Sequence, residues 1–354
     1  MKSRPTLSQR RAGLLGVVIP REHLQPAVLA WAAARAPRER WGVALSGGAD
    51  SVALLLLLWA HWPERRGRLV AFHFDHRLRG AESHLDAVFC RRLCAGLGVP
   101  LVTGYWAQPL KTAGEAAGRA ARFDFFEDAM RLRRMKVLWL GHQQDDVAES
   151  MLMRLARGSG SAGLAAPRAI HEHLAGRIHV RPLLTLKKAE VCAALLKAGV
   201  PWREDPSNSG EAFFRNRVRK TVVPIWCDAA GRDALAGAAL SRQLLEEDDV
   251  ALERWVDRIG AINAAGSLNL ARLRDMPRAV VRRALHRWLA RQAERFELSR
   301  QAFELLLAAT ERGEPTRQSL GLSAFAVINK GRLSLQKRVL GRLESRRLFP
   351  RRFN

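Results

Sequence analysis

The stretch that decides the fold is Trp41-Gly-Val-Ala-Leu45, followed at once by Ser46-Gly-Gly-Ala-Asp-Ser51. The first five residues are typical of a buried strand, and a helical pattern of apolar residues continues to Trp62. Two glycines allow a tight turn that brings backbone N–H groups toward an anion at the positive end of a helix, and Ser46 and Ser51 add hydroxyl groups. This stretch, called the phosphate loop below, therefore predicts a strand–loop–helix that binds pyrophosphate.

The phosphate loop differs from two widespread phosphate-binding motifs. It lacks the lysine of a GK[ST] loop and the spacing of a GxGxxG fingerprint. It contains Asp50 instead, and a carboxylate beside bound phosphates repels them unless a cation lies between. Asp50 therefore indicates Mg²⁺. The alternative, a glycine-rich turn with Asp50 as a helix cap, is disfavoured by the strand before the loop and the helix after it.

Outward from the phosphate loop, strand and helix patterns alternate. Further strands are predicted at Arg68–His73, Val99–Thr103 and Val137–Gly141, and helices at Asp50–Trp62, Glu82–Gly96 and Glu115–Met135. This alternation predicts an α/β fold, a parallel sheet flanked by helices on both faces. Because ligands of such sheets lie beyond the carboxyl ends of the strands, the loops that begin at Ser46, Phe74 and His142 are expected to form the site.

The length of 354 residues exceeds what one compact core usually holds. We expect an N-terminal basic extension with a helix over 1–39, the α/β domain over 40–228, and a mainly helical region over 229–354 with a hairpin and a basic tail. The longest apolar run, Val52–Ala60, is too short to span a membrane, and no signal peptide is evident, so we expect a cytoplasmic protein.

The charge is strongly basic. Lys+Arg number 59 against 34 Asp+Glu, a formal net charge of +25, and arginine dominates. Arginine pairs with phosphate oxygens two at a time, so the excess indicates a polyanionic partner, although a coding bias toward arginine would leave the same composition. The four cysteines are scattered without a CxxC pair, which argues against a zinc site, an iron–sulfur cluster and a disulfide framework.

Seven further motifs follow in order. They are Asp75–Gly80, Gly114–Phe123, Gly141–Glu149, Arg157–Gly160, Arg181–Leu184, Glu204–Asn208 and Arg215–Arg219. Together with the phosphate loop they resemble the tRNA(Ile)-lysidine synthase family of PP-loop ATP pyrophosphatases from about residue 40 to 226. The chain departs from the family pattern at Gln143, where a second His is usual, and mildly at Phe123, Val147 and Ser150.

The resemblance implies an adenine nucleotide alpha hydrolase-like fold and a ligase that forms a carbon–nitrogen bond. ATP would adenylate the C2 oxygen of the wobble cytidine, position 34, of the isoleucine tRNA with the CAU anticodon. The ε-amine of L-lysine would then attack C2 and expel AMP, leaving lysidine. ATP is the co-substrate and Mg²⁺ the expected metal, with Asp50 and Asp146 as its ligands.

The catalytic residues expected are Asp50, Asp146 and Glu149. Asp146 and Glu149 lie three residues apart at a helix start and can face one site, whereas Asp145 is expected to cap the helix. Complementing the helix dipole is the alternative role for all of these acids. Which carboxylate is the general base and which holds Mg²⁺ stays open at this point.

The remaining expected contacts fall into three groups. The ATP-binding residues are Ser46, Gly47, Gly48, Ala49, Asp50 and Ser51. Substrate binding is assigned to His76 and to Glu115, Arg119 and Arg122, which share a helix face and could otherwise be a solvated Glu–Arg pair. tRNA binding is assigned to Arg154, Arg157, Arg215 and Arg219.

Two other functions remain open from the sequence. One is a tRNA thiolase of the same ATP fold, although Cys90 and Cys94 lie one helical turn apart on a predicted core face. The other is a non-catalytic basic RNA-binding protein with a vestigial nucleotide site, which the intact phosphate loop and the Asp146/Glu149 pair oppose.

Overall fold

The computed structural model describes residues 4–77, 81–106, 115–173, 176–204, 213–292, 296, 298–321 and 324–337. The side chains of 81, 115 and 116 lie outside this description. The chain divides into two compact units, Met1–Glu246 and Glu247–Asn354.

The first unit alternates strands and helices as the sequence predicts. Its elements in chain order are α1 (Leu7–Val18), α2 (Pro26–Ala33), β1 (Trp41–Ala44), α3 (Ala49–His61), β2 (Leu69–Asp75), α4 (Ala81–Leu97), β3 (Leu101–Tyr105), α5 (Glu115–Leu132), β4 (Val137–Trp139), α6 (Gln144–Leu155), α7 (Ser161–Leu164), β5 (Ile170–Glu172), β6 (Ile178–Val180), α8 (Lys188–Lys197), α9 (Phe214–Arg217) and α10 (Val223–Ala229), with a π-helical turn at Val218–Val222.

The sheet of this unit confirms the predicted parallel architecture. Within the described residues its six strands follow the order β3-β2-β1-β4-β6-β5. All neighbouring pairs are parallel except β5 with β6, an antiparallel edge that the sequence analysis did not predict. The central strand places Trp41 beside Leu69 on one side and Val137 on the other. From β1 the chain adds β2 and β3 on one side of that strand, and it then adds β4 on the opposite side. A crevice forms at the carboxyl ends of β1 and β4, where the strand order reverses.

The core of the first unit is built around α3 and three tryptophans. Trp41, Trp62 and Trp139 are each at most 1% exposed, and the rings of Trp41 and Trp139 lie 4.6 Å apart between centroids. Large buried aromatic surfaces of this kind contribute much of a domain's hydrophobic stabilisation. Ala12 and Leu15 of α1 are buried in the same core, so the N-terminal helix is packed into this unit. A fixed core at this position holds the phosphate loop in place.

The second unit combines helices with a small antiparallel sheet. Its elements are the remainder of α11 (Ala234–Ile259), β7 (Leu268–Asn269), α12 (Arg278–Ala290), α13 (Arg300–Arg312), β8 (Thr316–Ser319), β9 (Ala324–Asn329) and β10 (Arg332–Lys337). The order β7-β10-β9-β8 contains the predicted hairpin as β9 and β10. The short strands β7 and β8 were not predicted.

Several arginines of the second unit pair with acids of the same unit. Arg283 of α12 forms an ion pair with Asp249, whose side chain is 2% exposed, and Arg278 pairs with Glu304 at 2.9 Å. Asp249 lies inside α11 and joins this helix to α12. These pairs show that part of the arginine content serves the fold, and the net charge of +25 is what remains after the acids are counted.

The division between the units lies inside α11, between Glu246 and Glu247. The strand–helix alternation of the sequence instead suggested a boundary after residue 228. Ala238 is buried in the core of the first unit, which explains why the start of α11 belongs to that unit. Across the described ranges, every helix is too short or too polar to cross a membrane.

Candidate active site

The phosphate loop is closed by hydrogen bonds of its own. The Oγ atom of Ser51 accepts from the N–H groups of Ser46 at 3.1 Å and Gly47 at 3.2 Å, and donates to the carbonyl oxygen of Gly48 at 2.9 Å. Gly47 has φ +97°, a conformation that glycine adopts without strain. The predicted turn is therefore present, and its N–H groups bond to hydroxyl groups of the loop itself in this arrangement.

Asp50 lies in the first turn of α3, where its two oxygens differ. Oδ2 accepts from Lys188 Nζ at 2.7 Å. Oδ1 is buried and has no hydrogen-bond partner among the described residues. Burial raises the pKa of Asp50, and the Lys188 ammonium group opposes that shift. A buried carboxylate oxygen without a hydrogen-bond partner is a suitable ligand for a metal cation.

A close backbone approach brings the fourth strand to the phosphate loop. A Cβ atom on Gly141, just past β4, would lie 2.9 Å from the carbonyl oxygen of Asp50, so only glycine fits there. This contact places the start of α6 beside the start of α3. The negative charge of Asp146 is among the causes that raise the pKa of Asp50, so the two predicted metal ligands are electrostatic neighbours.

The start of α6 is capped by Gln143, the residue that departs from the family pattern. Its side-chain oxygen accepts from the N–H group of Asp145 at 2.6 Å, and Asp146 Oδ2 accepts from the N–H group of Gln143 at 3.0 Å. The prediction that Asp145 caps this helix is wrong. Asp145 Oδ2 instead accepts from the backbone N–H of Lys188 at 2.8 Å and so fixes the start of α8.

Asp146 and Glu149 face the same site, as their spacing predicts, and each is paired with arginine. Glu149 Oε2 accepts from Arg215 Nε at 2.8 Å and from Arg219 Nη2 at 3.1 Å. Arg215 also donates to Asp146 Oδ1, and Arg219 Nη2 lies 3.7 Å from the same oxygen. The Glu149 side chain is 2% exposed and that of Asp146 is 11% exposed. We call these four residues the acid–arginine cluster.

The acid–arginine cluster unites residues that the sequence analysis assigned to different tasks. Burial alone would lower the pKa of Arg215, but Asp146 and Glu149 outweigh it and hold that pKa above its ordinary value. Burial would also lower the pKa of Arg219, but its partners, chiefly Glu149, hold that pKa above its ordinary value. The tRNA contacts assigned to both arginines stay predictions, whereas their pairing with the acids is a property of the fold.

A second basic group surrounds His142, at the carboxyl end of β4. Arg181 is 7% exposed and donates from Nε to His142 Nδ1 at 3.2 Å. Burial, followed by the charges of Arg181 and Arg119, lowers the pKa of His142 well below its usual value, so a neutral imidazole accepts this bond. Arg119 and Arg122 of α5 lie over the ring of Phe123. The charge of Arg122 also contributes to lowering the pKa of His142. Both α5 arginines therefore belong to this edge.

The other predicted contacts lie in several places. His76 packs edge-on against Phe74, with ring centroids 5.0 Å apart, and is close to α5. Glu115 begins α5, but its side chain lies outside the described residues. Arg154 donates to the carbonyl oxygen of Gly163, which ties α6 to the glycine-rich segment. Arg157 is exposed.

Four residues of the site were absent from the sequence-based assignment: His142, Gln143, Arg181 and Lys188. His142 and Gln143 lie within the motif Gly141–Glu149, and Arg181 begins the motif Arg181–Leu184. Membership of these motifs is the signal that could have identified them. Among the described residues, no group of three or more His, Cys, Asp or Glu side chains could hold a metal ion.

Comparison with known proteins places this geometry in a family. Residues 21–226 match the family model described as the PP-loop domain. The chain is 36% identical over 265 residues to a tRNA(Ile)-lysidine synthase of Geobacter sulfurreducens, covering 72% of this chain and 55% of that protein. It is 32% identical to the Bacillus subtilis enzyme of the same name, covering 69% and 53%. The chain thus spans about half the length of these curated relatives.

A solved structure supports the fold alone. A U34-tRNA thiolase from Methanococcus maripaludis, described with its 4Fe–4S cluster, superposes with a TM-score of 0.51 at 17% sequence identity. The superposition covers 68% of this chain and 78% of the thiolase.

Proposed function

This chain belongs to the PP-loop domain family, and we propose that it is a tRNA(Ile)-lysidine synthase. It would ligate L-lysine to C2 of the wobble cytidine in the CAU anticodon of isoleucine tRNA, consuming ATP and releasing AMP and pyrophosphate. The observation that carries this proposal is the close approach of Gly141 to the Asp50 backbone, which brings the start of α6, with Asp146, to the phosphate loop. The similarity to curated lysidine synthases supports the choice of substrate.

In the first step, the cytidine O2 attacks the α-phosphorus of ATP, and the bond to the bridging oxygen breaks as pyrophosphate leaves. Asp50 suits the Mg²⁺ that this step requires, because its Oδ1 is buried without a partner among the described residues. Asp146 is a second carboxylate, close enough that its charge raises the pKa of Asp50. Magnesium is commonly held by one or two carboxylates together with substrate phosphates, which agrees with the lack of a larger cluster in the described chain. Bound Mg²⁺ would neutralise charge on the phosphates.

In the second step, the lysine ε-amine attacks C2 and AMP leaves with the C2 oxygen. A free lysine amine has a pKa near 10.4, so it must lose a proton before it is nucleophilic. Asp146 is the more exposed acid of the acid–arginine cluster and is suited to orient and deprotonate this amine. Glu149 is enclosed, and both of its oxygens accept from arginine, so it acts as a positioning residue that holds Arg215 and Arg219.

The basic group around His142 suits anionic parts of the substrates. Arg181 is buried beside a neutral histidine, and burial, followed by the charge of Arg119, lowers the pKa of Arg181 to about 10. The α-carboxylate of lysine or a phosphate of the nucleotide would relieve this repulsion between like charges. The tRNA, together with Arg154 and Arg157, would add phosphate contacts at the same edge. Such an activity belongs in the cytoplasm.

The thiolase alternative has less support in the structure. Thiolation of a tRNA requires reactive or cluster-binding thiols, but Cys90 and Cys94 are buried in the core of the first unit. Burial raises the pKa of both thiols, that of Cys94 to about 12, so neither forms a thiolate readily. A purely RNA-binding role would not require the enclosed carboxylates of Asp146 and Glu149 near the phosphate loop.

The deciding experiment measures AMP and pyrophosphate release by the purified chain. We expect release only when L-lysine and a tRNA with the CAU anticodon are both present, together with incorporation of labelled lysine into that tRNA. A matched tRNA with a different anticodon serves as the control. Sulfur incorporation, or nucleotide cleavage that ignores lysine and tRNA, would contradict the proposal.

A further inference from the structure

We propose that Lys188 binds the β- and γ-phosphates of ATP and supplies the cation that the phosphate loop lacks. The loop has no lysine of its own, and the structure brings one to it from 138 residues away. The inference rests on the proposed function only in taking ATP as the nucleotide, and it concerns a residue outside the phosphate loop and the acid–arginine cluster.

The position of Lys188 is fixed at its backbone and adaptable at its tip. Its N–H group donates to Asp145 Oδ2 at 2.8 Å, which anchors the first residue of α8 to α6. Its ammonium group lies 2.7 Å from Asp50 Oδ2, and its side chain is 44% exposed. A lysine stem carries three rotatable donors at the end of four methylene groups, so the tip can exchange one oxygen partner for another.

The balance of charge gives this exchange a direction. Arg215 and Arg219 are bound to the enclosed carboxylate of Glu149, whereas Lys188 is bound to the more accessible Asp50. A divalent cation on Asp50 would compensate its charge and remove the reason for Lys188 to remain there. Phosphate oxygens arriving beside the loop would then offer the ammonium group stronger, charge-assisted partners.

The role in the reaction follows from where charge develops. When the bond between the α-phosphorus and the bridging oxygen breaks, its electron pair stays on the pyrophosphate. An ammonium group at the β- and γ-phosphates stabilises that negative charge without transferring a proton. Lys188 would therefore bind the substrate phosphates and favour departure of the leaving group.

The test uses two adjacent lysines and two nucleotides. Lys187→Met is the matched control, because Lys187 Nζ pairs with Asp233 at 2.5 Å instead of with the phosphate loop. Calorimetry with Mg²⁺ should show that Lys188→Met weakens ATP binding roughly 10-fold to 100-fold, the worth of a hydrogen bond to a charged group. AMP, which lacks the β- and γ-phosphates, should bind equally well to Lys188→Met and the unaltered chain. Lys187→Met should leave both affinities unchanged.

Two outcomes would overturn the assignment: equal weakening of ATP and AMP, which indicates a general distortion, or no change for either. Lys188→Gln, which keeps a polar side chain without the charge, provides the same contrast if the methionine variant folds poorly. Because binding is the readout, the result stands apart from lysidine formation. Failure of the proposed function would appear as absent lysine transfer by the unaltered chain, whatever Lys188 does.

Discussion

The phosphate loop, Ser46–Ser51, and the acid–arginine cluster of Asp146, Glu149, Arg215 and Arg219 stabilise their geometry in opposite ways. The hydrogen bonds that close the turn of the loop, among its serines and glycines, join residues at most five positions apart. Two bonds reach the loop from farther along the chain, from Lys188 to Asp50 and from the N–H of Arg203 to Gly47. Those of the cluster between helices join residues 66 to 70 positions apart. The turn of the loop is therefore a local structure, and the cluster exists only when the first unit has folded.

The energetics differ in the same sense. A neutral hydrogen bond such as those of the loop contributes about 0.5–1.5 kcal/mol net. Removing one partner from a buried ion pair costs about 3–5 kcal/mol, because the other charge is left enclosed without compensation. Changes in the cluster should thus affect both stability and chemistry, and changes in the loop should act mainly on nucleotide binding.

The largest effect is expected for Glu149→Gln. The substitution leaves Arg215 and Arg219 without their enclosed anion, so Asp146 loses its alignment. We expect lysine transfer to fall by about 10²–10⁴-fold, the usual worth of a positioned acid–base group. Stability should fall by about 3–5 kcal/mol, measured by urea unfolding.

The matched control is Glu127→Gln, since Glu127 pairs with Arg177 at the surface. Its stability should change by less than about 1 kcal/mol. If Glu149→Gln retained full transfer activity at full stability, the contrast between cluster and loop would fail.

The next effect is expected for Ser51→Ala in the phosphate loop. The change removes the acceptor of the N–H groups of Ser46 and Gly47 and so loosens the turn. We expect the KM for ATP to rise about 10-fold to 100-fold, in line with two hydrogen bonds lost, with a smaller change in kcat. Steady-state kinetics at varied ATP concentration separates the effect on KM from the effect on kcat. A fall in kcat alone would argue against a binding role.

A third effect concerns acid stability and another long-range contact. His171 faces His179 across β5 and β6, and His173 lies 2.9 Å from His179 between ring nitrogens. Burial, then the neighbouring histidine, lowers the pKa of His171 to about 4 and that of His179 to about 3. The folded state thus binds fewer protons than the unfolded state below about pH 6.5. This contribution to stability is complete above that pH and is lost as the pH falls toward the folded values.

Urea unfolding between about pH 7 and about pH 5 measures this slope. His171→Phe, which keeps the stacked ring and removes the titrating group, should make it shallower. The exposed His84 provides a control, because His84→Phe should leave the slope unchanged. An unaltered slope in His171→Phe would show that the strand histidines are not responsible.

The smallest effect is expected for Arg203→Ala. The backbone N–H of Arg203 donates to the carbonyl oxygen of Gly47 at 2.9 Å, and its side chain binds Asp86 and Glu82 of α4. Alanine keeps the backbone bond to the loop, and the ion pairs that it removes are made with α4 and not with the loop, so the KM for ATP should rise less than about fivefold. A rise as large as that of Ser51→Ala would show that the loop also depends on distant support.

Features that depend on local sequence were largely predicted correctly, and most features that depend on contacts between distant residues were not. The four parallel strands β1–β4 were predicted because runs of buried apolar residues alternate with amphipathic helices. The strands β5 and β6 were missed because each contains a histidine among its three residues and so shows neither a period nor the apolar run that reveals the equally short β4. Gln143 was not recognised as the cap of α6 because glutamine is not a preferred capping residue, and Asp145 was chosen instead.

By itself, the sequence determined the parallel sheet, the turn at Gly47 and the placement of Asp50 and Asp146 at converging strand ends. Backbone conformation and apolar periodicity are local properties, so they can be recognised in a chain without its partners. Only the tertiary structure decided that Glu149 is enclosed by two arginines and that Lys188 reaches Asp50. Charge pairing depends on distance in space, and neither the spacing nor the type of these residues along the chain specifies which opposite charges meet.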